Sequence, residues 1–128
     1  MSRKGKGIEA QISAILEDYS DNLVEQARVL GRRIAKECCE EIRENSPRRR
    51  PEYYKGWTVD EETSLGGWPT FTIYNKTHPG LTHLLEKGHE TSKGRTTAKP
   101  HIKPAEEKYN QLYLMAMEEA AENAGNKS

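Results

Sequence analysis

The feature that most constrains the fold is a long stripe of apolar residues near the N-terminus. From Ile8 to about Asn45, apolar side chains recur mostly at steps of three and four. This spacing is typical of one face of an amphipathic helix. A continuous helix of about 38 residues would be about 57 Å long, which exceeds the diameter of a domain this small. We therefore predict a long N-terminal helix that either bends, near Asp18–Asn22 or at Gly31, or projects one end as an assembly surface.

The composition supplies apolar material for one modest core and little more. Of the 128 residues, 34% are hydrophobic and 31% are charged, against about 45–50% and about 25% in typical domains. We expect a single domain spanning residues 1–128, with flexible ends at 1–7 and 122–128, whose surface is completed by neighbouring molecules. No apolar run comes near the roughly 20 residues that a membrane span needs, so we expect no membrane partner.

Charge is balanced overall but unevenly distributed along the chain. Lysine plus arginine and aspartate plus glutamate number 20 each, so net charge does not favour nucleic acid. Residues 105–128 nevertheless carry five acidic and two basic side chains, whereas residues 1–51 carry nine and eleven. An acidic C-terminal segment on a mildly basic body favours head-to-tail contact between copies of the chain.

The middle of the chain predicts a β-hairpin. The helix should end at Asn45–Pro47, because the residue before a proline avoids helical backbone angles, and a basic turn, Arg48–Arg50, follows. Residues 53–63 alternate as in a strand, and residues 70–75 are rich in β-branched and aromatic side chains. The segment 64–67 between them has turn chemistry, so the two runs predict an antiparallel pair.

The stretch 74–107 completes the predicted fold. Residues 81–86 predict a short helix that Gly88 closes. Residues 89–99 contain no large apolar side chain and predict an exposed, mobile loop. A short extended segment then leads to Pro104, which suits the first turn of a final helix. The whole pattern predicts an α+β fold with a long N-terminal helix, a small antiparallel β-sheet built on the central hairpin, a short helix and a C-terminal helix.

Residue types that catalysis needs occur in unsuitable settings. Cys38 and Cys39 lie in the middle of a predicted helix and point about 100° apart, so we expect neither a disulfide nor a nucleophile with a positioned base. Phosphate-binding loops and a serine-nucleophile elbow are absent from the sequence. We expect no enzyme and no cofactor, with a metal-dependent nuclease as a minor alternative. Its ligands would come from the four histidines, whose spacings of five, six and twelve match no helical zinc motif: His78, His83, His89 and His101.

Basic side chains supply the main alternative function. One cluster is Arg48–Arg50, and Tyr53, Tyr54 and Trp57 follow it as possible stacking platforms. A second cluster lies in and after the predicted loop and consists of Lys93, Arg95, Lys99 and Lys103. These residues would suit a DNA-binding accessory protein. A simpler interpretation is that these basic side chains are solvated or paired with acidic groups of a partner. No recognised nucleic-acid motif accompanies them.

Three short patterns follow one another between residues 74 and 107. They are Leu84-Leu85-Glu86 with Gly88 after it, Gly94-Arg95, and Pro100-His101-Ile102-Lys103-Pro104-Ala105. In this order they resemble the HK97 gp10-like family of tailed-bacteriophage proteins, which are minor tail or head–tail joining components. The order of predicted helices and hairpin is also similar to that family.

The resemblance implies a structural role in a virion. Such a protein would complete the tail or join head to tail, as a homo-oligomeric ring that we expect to be a hexamer. Connector or adaptor proteins would bind one side, and tail tube or tail terminator proteins the other, with non-specific contact to passing DNA. It would lie in the neck or head-proximal tail of the virion, and in the host cytoplasm during assembly.

The resemblance assigns the first of two sets of residues, and the second is drawn mainly from the basic clusters. The fold-specifying set is Leu84, Leu85, Glu86, Gly88, Pro100, His101, Pro104 and Ala105, and in it Leu84 and Leu85 would anchor the short helix on the core. The expected assembly interface consists of Arg48, Arg49, Arg50, His89, Lys93, Arg95, Lys99, His101 and Lys103. We expect the loop 89–99 to become ordered when a neighbour docks.

Overall fold

Helices and one small antiparallel sheet make up most of the described chain. The computed structural model describes residues 9–16, 20–64 and 67–125, with the backbone alone at 124 and 125. The elements in chain order are β1 (Ala10–Ile12), α1 (Asp21–Asn45), α2 (Pro51–Tyr54), β2 (Trp57–Thr63), β3 (Pro69–Asn75), α3 (Pro79–Lys87), β4 (Glu90–Thr91), β5 (Gly94–Arg95) and α4 (Lys103–Gly125). The predicted α+β class is confirmed.

The prediction of a helix is wrong for the first part of the N-terminal segment. Residues Ala10–Ile12 form a strand that pairs antiparallel with β3, and α1 begins only at Asp21. The preceding Ser20 caps the helix, because its hydroxyl accepts a backbone N–H at 3.3 Å. The apolar spacing led to a wrong prediction because a step of four fits both structures. It keeps residues on one face of a helix and, being even, also on one face of a strand. Ile8 and residues 17–19, including part of the predicted bend, lie outside the described residues.

Gly31 lies inside an uninterrupted helix and serves close packing rather than a bend. A Cβ at this position would collide with the ring of Phe71 on β3 and with the hydroxyl of Tyr113 on α4. That hydroxyl donates a hydrogen bond to the Ala27 carbonyl at 2.6 Å. Gly31 is therefore the point where α1, the sheet and α4 meet around the core.

The three-stranded sheet has the order β1-β3-β2, with β3 in the centre. Helix α4 covers the free edge of β1 through two side chains. Glu106 accepts the Gln11 N–H at 2.9 Å, while Asn110 accepts the Ser13 N–H at 3.0 Å and donates to the Gln11 carbonyl at 2.8 Å. These bonds leave β1 little capacity to pair with a further strand.

The predicted hairpin is confirmed as an antiparallel pair of β2 and β3, with Trp57 opposite Asn75. Its first strand begins later than predicted, because residues 51–54 form the short helix α2 with Pro51 in its first turn. Of the predicted turn at 64–67, residues 65 and 66 lie outside the described residues.

The C-terminal half follows the prediction closely. Helix α3 ends at Gly88, whose φ of 74° is one that side chains other than glycine rarely adopt. The exposed loop contains a small ribbon of β4 and β5, and the extended segment before α4 is not a strand. None of the helices in the described ranges is long and apolar enough to cross a membrane.

Candidate functional site

One buried carboxylate joins α3 to the start of α4. Glu86 on α3 is 7% exposed, and its two oxygens accept the backbone N–H groups of His101 at 2.9 Å, Ile102 at 3.1 Å and Lys103 at 2.9 Å. The first turn of a helix leaves such N–H groups without partners inside the helix, and a negative charge there is favourable. Glu86 thus caps α4 from another element of the fold.

The His101 side chain completes this arrangement. Its Nδ1 lies 2.7 Å from the Lys99 carbonyl and 3.1 Å from a Glu86 oxygen, and because both are acceptors we assign the ring proton to Nδ1. In this tautomer its Nε2 accepts a hydrogen bond from the Tyr53 hydroxyl, 2.7 Å away. We call Glu86, His101, Tyr53 and the backbone N–H groups of 101–103 the junction.

Burial determines the protonation state of Tyr53 in the junction. Burial raises the pKa of the Tyr53 hydroxyl, and the charge of Glu86 raises it further. The same physical cause operates in the core, where burial raises the pKa of the Cys38 thiol to about 12. Both groups therefore hold their protons at neutral pH, and a buried thiol in this state is a poor nucleophile.

An open cleft lies directly beside the junction. It has a volume of about 550 Å³ and is lined by Pro47, Arg49, Arg50, Tyr53, Leu81, Leu84, Leu85, His89, Thr96, Thr97 and Lys99. Its apolar side chains come mainly from α3 and include three leucines. Its cationic side chains, on Arg49, Arg50 and Lys99, belong to exposed residues. We call this set of residues the basic cleft.

The loop after α3 folds back to form one wall of the basic cleft. Gly88 permits this, since a Cβ there would lie 2.7 Å from the Thr96 carbonyl oxygen. The Lys99 N–H donates to the Leu85 carbonyl at 2.8 Å, and the Arg95 guanidinium donates to the carbonyl of Lys87, the last residue of α3, at 3.0 Å. The returning chain is thereby held against α3.

The opposite wall is fixed through the end of α1. The Ser46 hydroxyl donates to the Ile42 carbonyl at 2.6 Å and accepts the Trp57 indole N–H at 2.8 Å. These two bonds attach the segment that carries Arg49 and Arg50 to both α1 and β2. The cleft is therefore bounded by residues that are far apart in sequence.

Four members of the predicted assembly set line the basic cleft: Arg49, Arg50, His89 and Lys99. The other surface members lie outside it. The Arg48 guanidinium stacks 4.3 Å from the Tyr54 ring centroid, and Arg95 pairs with Glu90 at 3.3 Å. Lys93 lies between β4 and β5, and Lys103 lies 3.5 Å from Glu107.

Two predicted roles are wrong. His101 is only 2% exposed and is enclosed by its own chain, so it cannot contribute to an assembly surface. Leu84 was expected to anchor α3 on the core, but it is 37% exposed and lines the basic cleft. The side chains that pack α3 against the core are Leu81 and Leu85. The sequence pattern did not show this, because the side of α3 that faces the core is set by packing, and Leu84 lies on the side that faces the cleft.

The remaining members of the fold-specifying set lie around the junction. Ala105 is buried in the first turn of α4, Pro104 lies beside it on the exposed side, and Pro100 is exposed before the helix. The sequence interpretation placed Leu81 in the short helix but did not assign it to the core, although its spacing of three and four from Leu84 and Leu85 places it on the same side of the helix. It also missed Tyr53 as a partner of the stretch, and no local signal connects two residues 48 positions apart.

The four histidines do not converge. His83 is exposed and His101 is buried, and the described part of the chain contains no group of three or more residues arranged to hold a metal ion. Comparison of the chain with protein-family models, with curated proteins and with solved structures found no match. Function is therefore inferred from the residues and their geometry.

Proposed function

We propose that this chain is a structural virion protein of a tailed phage or prophage, acting in tail completion or head–tail joining. The observation that supports the proposal is the junction. The Leu-Leu-Glu and Pro-His-Ile patterns that carry the resemblance are physically one unit, because Glu86 binds the backbone of residues 101–103. The patterns thus specify one local structure rather than two unrelated segments.

In this proposal, the protein acts by forming a ring in the neck or head-proximal tail of the virion. We expect a hexamer, with connector or adaptor proteins on one side and tail tube or tail terminator proteins on the other. Each contact can be individually weak, because the ring repeats it and repeated contacts add their free energies. Before assembly the protein would be present in the host cytoplasm.

DNA binding by the basic clusters is the alternative function. Arg49, Arg50 and Lys99 converge on one cleft, but Arg48 is turned onto Tyr54 and Arg95 pairs with Glu90. Binding to a phosphate backbone would show a steep dependence on salt concentration. Titration of a fluorescent duplex with the isolated protein at low salt tests this alternative, and it is refuted if no binding is detected.

Assembly of particles without the protein tests the virion role. Electron micrographs should then show filled heads with unjoined tails, or tails of faulty length. Supplying the wild-type gene in trans should restore joined particles. Normal infectious particles made in the absence of the protein would refute the proposed function.

The position of the gene gives a faster test of the same proposal. A connector gene upstream and a major tail gene downstream are expected. Because both neighbours are recognisable from their own sequences, this observation is independent of the structure of the present chain.

A further inference from the structure

The far half of α4 carries an exposed stripe that none of the described residues covers. Leu112, Met115, Glu119 and Glu122 are all exposed and follow one another at steps of three, four and three. This spacing places them on one face of the helix. Leu112 is 45% and Met115 is 54% exposed. We call these four residues the α4 stripe.

The opposite face of α4 is already used. Tyr109, Tyr113 and Met117 are buried in the core, so the helix is fixed in rotation and cannot turn its stripe inward. The stripe is apolar at its beginning and acidic at its end. It also belongs to residues 105–128, which carry five acidic and two basic side chains.

The basic cleft has the complementary properties. Its apolar lining includes Leu81, Leu84 and Leu85, and its cationic residues include Arg50 and Lys99. An amphipathic helix that docks in a groove places its apolar side chains on the apolar floor and its charged side chains toward the rim. Opposite charges at the rim then select the partner and its orientation.

We propose that the basic cleft of one copy of this chain binds the α4 stripe of the next copy. Leu112 and Met115 contact the leucine side chains of the cleft, and Glu119 and Glu122 pair with its cationic residues. The inference rests on the part of the proposed function in which copies assemble into a ring, and it identifies the contact that builds the ring.

The two surfaces lie apart on the molecule, which suits a head-to-tail arrangement. The cleft lies beside the junction, at the start of α4, whereas the stripe lies 9 to 19 residues further along that helix. At 1.5 Å per residue the separation along the helix axis is about 13–28 Å. When each copy uses its cleft with one neighbour and its stripe with another, the contact is heterologous, and it closes into a ring when the rotation between neighbours divides a full turn.

Site-directed cross-linking tests whether the two surfaces meet. Protein carrying Lys99→Cys is mixed with protein carrying Glu119→Cys and treated with a short bis-maleimide at millimolar protein. The native thiols of Cys38 and Cys39 are buried, so the introduced thiols react first. We expect a cross-linked dimer at a yield at least about tenfold above that of a control in which Arg33→Cys, an exposed position on α1, replaces Lys99→Cys.

Charge reversal with rescue tests the proposed pairing. Arg50→Glu and Glu119→Lys should each lower self-association at low salt, as measured by sedimentation velocity, because each places like charges together. The double variant restores opposite charges and should recover most of the wild-type association. Met115→Asp should also lower association, whereas Val29→Asp, at a residue of similar exposure on α1 (59%), should not.

Three results would overturn the inference: equal cross-linking of the control, loss of association without rescue in the double variant, or a monomer at millimolar concentration. Cleft variants that abolish binding of a connector or tail protein but leave self-association intact would assign the cleft to that partner instead. Failure here leaves the virion role standing if particles still need the protein. Normal particles without the protein would refute the virion role while the cross-link still establishes the contact.

Discussion

The junction and the basic cleft share Tyr53, and both include residues of α3 and of the segment that leads to α4, yet they differ in one respect. In the junction each donor and acceptor described above is satisfied by the protein itself: Glu86 accepts three backbone N–H groups, and His101 is bonded through both ring nitrogens. In the cleft, leucine side chains and cationic groups line an open space of about 550 Å³. The first region has what it needs to specify the fold, and the second has what it needs to bind a partner.

This difference predicts that substitutions will separate into two classes. A buried polar group that loses its partner costs its full desolvation free energy, so changes in the junction should act on stability. Exposed side chains away from such networks contribute little to stability. Changes at the cleft should therefore act on association and leave folding intact.

The largest effect is expected for Glu86→Ala. The substitution leaves three backbone N–H groups and the His101 Nδ1 proton without the carboxylate, and it removes the negative charge from the start of α4. We expect the free energy of unfolding to fall by about 3–5 kcal/mol. Urea denaturation followed by circular dichroism measures the change.

Glu90→Ala is the matched control for this prediction. Glu90 lies four residues further on, its side chain is 76% exposed, and its contact with Arg95 is on the surface. A change within about 0.5 kcal/mol is expected there. If Glu86→Ala also stayed within that range, the buried carboxylate would not be what holds α3 and α4 together.

A smaller loss is expected for Tyr53→Phe. The ring remains, so the wall of the cleft is kept, but the His101 Nε2 loses its donor in a buried setting. We expect a loss of about 1–3 kcal/mol. Tyr54→Phe serves as control, because Tyr54 is half-buried and its ring faces Arg48 rather than the junction. Equal losses in the two variants would argue against a special role for the Tyr53 hydroxyl.

The pH dependence of the free energy of unfolding should also reveal the burial of Tyr53. Burial and the Glu86 charge raise the pKa of Tyr53 in the folded state, so the hydroxyl binds its proton more tightly there than in the unfolded chain. Its contribution is complete below the ordinary tyrosine pKa of about 10 and is lost as pH rises above that value. The loss from one such group is at most about 1.4 kcal/mol per pH unit.

Urea denaturation between pH 8 and pH 11 tests this sign. The wild-type protein should lose stability with rising pH, and Tyr53→Phe should lose it less steeply. Some slope remains in the variant, because burial also raises the pKa of Cys38 and Tyr113. Parallel curves for the two proteins would show that Tyr53 is not buried beside the Glu86 charge.

The extent to which the sequence predicted these regions follows from the range of the interactions. Helix α3, its glycine cap and the central strand depend on neighbouring residues, and they were predicted correctly. The N-terminal strand was predicted as helix, because its pairing partner lies about 60 residues away and the apolar spacing suits both structures. The packing of Leu84 was predicted wrongly for the same reason, since the direction in which α3 turns is set by the core.

The candidate site was only partly accessible from the sequence. The patterns that meet in the junction were recognised, but not that a carboxylate of one binds the backbone of the other. The basic residues were recognised as two clusters, but their convergence on one cleft depends on the turn at Gly88 and on the anchoring of Ser46. Such convergence is a property of the tertiary fold and has no signature in residue spacing.

The smallest effect on stability is expected for the double substitution of Arg49→Ala and Arg50→Ala. Both residues are exposed and line the cleft, so their removal breaks no buried network. The free energy of unfolding should change by less than about 0.5 kcal/mol, by the same urea measurement.

The value of this double substitution lies in its contrast with Glu86→Ala, because the two changes affect adjacent regions. A loss of several kcal/mol on removing the arginines would mean that the cleft, like the junction, is part of what specifies the fold. An unchanged folding free energy together with weaker self-association would separate the two regions by function. The cleft would then be a surface that the chain maintains without needing it to fold.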